Sequence, residues 1–124
     1  MNLLIWAAAL TFLLALGHTI YGEFWIFRPW KGTEGIPNAY NSSLLTKRTL
    51  HFVWLIVGVF GFCFSFLFYH LAEQPTLEYQ FLYRASTVTF ALSFLISFLV
   101  SRGRHPAWLI FLVISILVGS RIIL

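Results

Sequence analysis

Four side chains in this sequence are able to ligate a metal or carry a proton from within otherwise apolar segments: His18, Glu23, His51 and His105. His18 and Glu23 lie in LALGHTIYGEFWIF (14–27), His51 in RTLHFVW (48–54) and His105 in RGRHPAW (102–108). An ionisable group inside hydrocarbon costs about 2.5–3.5 kcal/mol on insertion scales, so such residues usually mark a site or a paired contact. Imidazole with carboxylate suits a transition-metal ion such as Zn, Fe or Cu, held by inward-facing side chains of a helix bundle. A haem between two axial histidines is a narrower form of the same idea, with His18 and His51 as the pair. The metal-free alternative has Glu and His carrying protons or cations, or bonding one helix to the next.

Spacing sets a condition on the metal reading. At about 100° per residue, His18 and Glu23, five apart, project about 140° away from each other on a regular helix. Either Gly17 and Gly22 allow a local distortion, or the two residues face different neighbours. Counted along the helices at about 1.5 Å per residue, Glu23, His51 and His105 come to one level, with His18 about 7 Å deeper.

The elements that must position these residues follow from composition. Of 124 residues, 60% are hydrophobic and only 10% charged, against about 25% charged in soluble domains, which points to an all-α integral membrane protein. A spanning helix needs about 20 mostly apolar residues. Windows at 3–27, 49–72, 76–100 and 106–124 meet this and predict a single transmembrane domain built as a four-helix bundle. Pro29 and Pro75 close the first two windows, since proline cannot continue the helical ladder. The first window lacks a basic leader and runs on to Phe27, so it reads as an uncleaved span rather than a signal peptide.

Charge orients the bundle. The segments 28–48 and 101–105 carry Arg28, Lys31, Lys47, Arg48, Arg102 and Arg104, whereas the connection after the second span carries Glu73 and Glu78. The positive-inside rule then places 28–48 and 101–105 in the cytoplasm and both termini outside it. Arg121 runs against this assignment and Arg84, inside the third span, has a stem long enough to reach the interface. Trp25, Trp30 and Trp108 on one side, and Tyr69, Tyr79 and Tyr83 on the other, suit the headgroup level.

Other function classes are excluded or unsupported. The net charge of +4 sits in topology signals, and no nucleic-acid module is present. Cys63 is the single cysteine, so neither an intrachain disulfide nor a thiolate zinc site can form. No G-x-S-x-G, phosphate-binding loop or paired carboxylates on one helix occur.

The segments GHTIYGE, RTLHFVW and RGRHPAW together resemble those of small four-span bacterial inner-membrane proteins with no established activity. The resemblance covers the spans but not 28–48. It implies that His18, Glu23, His51 and His105 belong to a shared pattern, and it implies no reaction. The sequence therefore predicts a small membrane protein with a His/Glu site near the cytoplasmic face, holding a metal ion or haem. The alternative is a cofactor-free transporter, channel or accessory subunit. Its expected partners are the lipid bilayer and a second copy or another membrane subunit.

Overall fold

The computed structural model of the protein describes residues 2–74 and 76–122. These form four α-helices, α1 (Leu3–Tyr21), α2 (Ser43–Glu73), α3 (Gln80–Ser101) and α4 (Ala107–Gly119), with no strand among the described residues. A π-helical turn, Gly22–Phe27, extends α1, and short 3-10 turns precede α2 (Ala39–Asn41) and α3 (Leu77–Tyr79). The all-α expectation holds.

Helix ends follow from capping chemistry. The Asn2 side-chain oxygen accepts from the Leu4 N–H at 3.1 Å, satisfying one of the amides that a helix start leaves free. The Asn2 amide nitrogen donates to the Ala72 carbonyl at 2.8 Å, so one residue ties the start of α1 to the end of α2. The Ser42 hydroxyl caps α2 by accepting from Leu45 at 3.1 Å. At the end of α3, Arg102 takes a left-handed conformation (φ 51°) and the Gly103 N–H reaches back to the Phe98 carbonyl at 2.9 Å. That wrapping closes the helix and turns the chain into α4.

Two boundaries differ from expectation. The second helix begins at Ser43 rather than near residue 49, so Lys47 and Arg48 are helical and the connecting loop shrinks to 28–42. Hydropathy misplaces this start because Ser42 supplies a cap, and Leu44, Leu45, Lys47 and Arg48 all favour helix despite their mixed polarity. At 31 residues α2 is about 46 Å long, well beyond a hydrocarbon core of about 30 Å. The fourth expected span, 106–124, contains a helix of only 13 residues, about 20 Å long. Beyond Gly119 the ladder tightens, with Arg121 bonding to Val118 and Ile122 to Gly119, where Gly119 and Ser120 support helix poorly. Residues 123 and 124 of that span, and Pro75, lie outside the described residues. Three helical stretches are therefore long and apolar enough to cross a membrane, Leu3–Phe27, Ser43–Glu73 and Leu77–Ser101, with α4 a shorter apolar helix.

α1 pairs with α2 and α3 pairs with α4, and the two hairpins meet along α1 and α4. The buried core gathers at the end near residues 74–79, where Leu4 and Ala7 of α1 meet Phe68 and Leu71 of α2, Tyr83 and Phe90 of α3, and Ile114 and Val118 of α4. Phe90 also meets Phe64 and Phe68 at 5.4 and 5.7 Å between ring centroids, joining α3 to α2.

The α1–α2 contact has a regular sequence basis. Along α2, Lys47, His51, Trp54, Gly58, Gly61, Ser65, Phe68 and Ala72 recur in alternating steps of four and three. Leu4, Ala8, Thr11, Ala15, His18 and Gly22 do the same along α1. This is the spacing of a helix–helix seam. A Cβ on Gly61 would fall 2.7 Å from the Ala15 Cβ, and one on Gly58 2.3 Å from the Thr19 hydroxyl, so both glycines are needed for the close approach. The Ser65 hydroxyl donates to the Ala8 carbonyl at 2.9 Å within the same seam.

Candidate functional site

Towards the 28–42 end the seam changes from small residues to aromatic and ionisable ones. Trp54 donates its indole N–H to the His18 carbonyl at 2.9 Å, and His18 Nε2 lies 3.0 Å from the Trp54 carbonyl. A carbonyl only accepts, so His18 donates through the proton on Nε2. The two rings stack at 4.1 Å, tilted by 9°. Gly22 lies under the same indole, where a Cβ would come within 1.9 Å of Trp54 Nε1.

Immediately beyond, the helix widens. Across Gly22–Phe27 the hydrogen bonds run from i to i+5, as in Arg28 N–H to the Glu23 carbonyl at 3.0 Å. A π-turn of this kind is a common device at functional positions. It brings His18 and Glu23, which a regular helix would splay, both against α2, but to different residues rather than to one point. His18 reaches Trp54, and Glu23 reaches His51, three residues earlier on α2.

Glu23 and His51 form the pair at the centre of the site. Glu23 Oε2 and His51 Nε2 are 2.8 Å apart, and each side chain is 36% exposed. Phe27, carried by the same π-turn, stacks on His51 at 4.4 Å and sets its edge against Trp54 at 5.8 Å. One face of the imidazole is thus covered by an aromatic ring while the carboxylate fixes its position in the plane. Chemically the arrangement holds a proton between an imidazole and a carboxylate at a half-open position.

His105 is placed differently. It lies in the α3–α4 turn, exposed, with Nδ1 accepting the Ala107 N–H at 3.2 Å and so capping the start of α4. The four residues expected to form one metal site therefore divide into a Glu23–His51 pair, a His18 bonded to Trp54 and a His105 used as a cap. Among the described residues, no three of His, Cys, Asp or Glu are grouped so as to hold a metal ion. His18 and His51, the expected axial pair, are turned to different partners, Trp54 and Glu23.

Trp54 and Phe27 were not among the sequence candidates, although the step of three between His51 and Trp54 places those two on one helical face. Lys47 belongs to the same seam one turn further out. Its ammonium donates to the Trp30 carbonyl and, at 3.0 Å, to the Gly32 carbonyl. With Ser43 bonding the Ile36 carbonyl at 3.3 Å, Thr46 bonding the Ala39 carbonyl at 3.0 Å, and Ile36 itself buried, this straps the 28–42 loop onto the start of α2.

Comparison of the chain with protein-family models, with curated proteins and with solved structures finds no match.

Proposed function

We propose that this is an integral membrane protein whose working centre is the Glu23–His51 pair, a cofactor-free site that takes up and passes on a proton. Two features support the membrane reading. Three helices have the length and apolarity to cross a bilayer, and only 11–28% of the most apolar stretch of each is buried within the chain. So much apolar helix surface left uncovered needs an apolar solvent. The basic end, 28–42 with the 102–106 turn, is the cytoplasmic one under the positive-inside rule.

The observation that carries the proton reading is the 2.8 Å carboxylate–imidazole contact at a half-exposed position on two spanning helices. Ionisable pairs at such places mark proton relays and ion paths. A metal centre at the same point requires ligands beyond these two, from a second copy or another subunit. The test is proton movement into vesicles holding the purified chain and an internal pH dye, with metal content measured in parallel on protein made without a histidine tag. Dissipation of an imposed pH gradient that is lost in Glu23→Gln and His51→Ala is the expected result. Stoichiometric metal that disappears in the same variants, with no proton movement, would replace this reading with the ligand one.

A further inference from the structure

We infer that the 28–42 end of the molecule carries a binding surface for anionic phospholipid headgroups, formed jointly by the α3–α4 turn and the start of α2. The inference rests on the membrane reading but not on the role of Glu23 and His51. Antiparallel packing brings the end of α1, the start of α2, the end of α3 and the start of α4 to one level. There, Arg28, Lys31, Arg48, Arg102 and Arg104 are all exposed. None is in an ion pair among the described residues, where the one ion pair at this end is Glu23 with His51. Glu34 is the single remaining carboxylate nearby in the chain.

Geometry ties these cations to a lipid boundary rather than to open solution. Leu99 and Val100 of α3, 69% and 81% exposed, stand three and two residues before Arg102. The surface there passes from apolar to cationic within one helical turn. Arg28 repeats the pattern on the other hairpin, its guanidinium lying 4.5 Å over the Phe24 ring with exposed Trp25 beside it. Arg102 and Arg104 are displayed by a fixed turn: Gly103 bonds the Phe98 carbonyl at 2.9 Å, and the Trp108 indole donates to the Gly103 carbonyl at 3.1 Å. Cations held at that boundary, next to indole rings, match a phosphate on a lipid more closely than one free in water.

Each basic side chain near an anionic membrane surface strengthens attraction roughly fivefold. The full chain in nanodiscs of equimolar phosphatidylglycerol and phosphatidylcholine, released and weighed by native mass spectrometry, should retain phosphatidylglycerol in clear excess. Arg102→Gln with Arg104→Gln should reduce that excess by roughly 25-fold, and Arg28→Gln with Arg48→Gln by a similar factor. Arg121→Gln, at the opposite end, should leave it unchanged and controls for any general loss of charge. Equal retention of the two lipids by inserted wild-type protein, or an equal loss in Arg121→Gln, overturns the inference while leaving the membrane reading intact. Displacement of the lipid by millimolar inorganic phosphate overturns it in favour of a free anion. A chain that stays dispersed in water without detergent or lipid removes the membrane reading and this inference with it.

Discussion

His18 and Trp54 bond each other twice, each through the other's backbone carbonyl, at 2.9 and 3.0 Å, with their rings stacked between the two bonds. The arrangement uses the polar edge of an indole and the N–H of an imidazole to satisfy one another inside a helix pair. Neither ring then has an unmet donor on the bonded nitrogen. It also spaces the next layer, because Trp54 supports Phe27, which in turn covers His51.

Trp54→Phe keeps most of the ring but removes the indole donor, and should cost about 1 kcal/mol of stability, the net worth of one hydrogen bond. His18→Ala alone should cost a similar amount. Each bond ends on a backbone carbonyl that the other substitution leaves in place, so the two costs should add, apart from any coupling through the ring stack. Unfolding of all three variants in mild detergent measures the single and double costs, and single variants as stable as the parent would mean the two bonds contribute nothing to stability.

The glycines of the seam predict a graded series. Gly61→Ala drives a methyl to 2.7 Å from Ala15, and Gly22→Ala drives one into the Trp54 ring. Overpacking of this kind costs about 1–3 kcal/mol. Gly17→Ala meets nothing within 4 Å and should stabilise by about 0.5–1 kcal/mol through helix propensity. Melting temperatures of the three variants test the order, and Gly22→Ala should additionally disturb the Glu23–His51 pair because Gly22 opens the π-turn that carries Glu23.

Thr87 gives a change in the opposite direction. Its hydroxyl is buried and has no hydrogen-bond partner among the described residues, although its carbonyl accepts from Ser115 at 3.1 Å. A buried unmade hydrogen bond costs about 1–3 kcal/mol, so Thr87→Val, equal in shape, should raise stability by about 1 kcal/mol. Ser115→Ala, which removes a made bond, should lower it. A melting temperature that falls for Thr87→Val would show that the hydroxyl is bonded in solution.

The sequence carried the helices and the level of the ionisable groups but not their pairing. Periodicity and hydropathy are enough to place Leu3–Phe27 and Leu77–Ser101 to within a residue, because long apolar runs have few alternatives. Glu23 and His51 were recognisable as residues of one layer. Their contact depended on a π-turn, whose formation is a balance of packing under Trp54 rather than a property of G-E-F-W-I-F itself. The start of α2 was hidden for a simpler reason. Its first turns carry Lys47 and Arg48, which hydropathy assigns to a loop and which helix propensity and the Ser42 cap assign to the helix.

The last prediction concerns which ends of the helices share a side of the membrane. The antiparallel hairpins place the 28–42 loop and the 102–106 turn at one end and residues 76–79 at the other. This follows from packing and does not depend on charge, whereas the assignment of the first end to the cytoplasm rests on its basic residues. Cys63 is the single cysteine and is exposed on α2, so Cys63→Ser supplies a background without thiols. In that background, Thr33→Cys and Pro106→Cys should react with a membrane-impermeant maleimide from the same side, and Thr76→Cys from the opposite one. Inverted vesicles should expose the first two and intact cells the third. Labelling of Thr33 and Pro106 from opposite sides would break the hairpin arrangement itself. Labelling of both from outside intact cells would keep the fold and reverse its orientation, moving the Glu23–His51 pair to the external face.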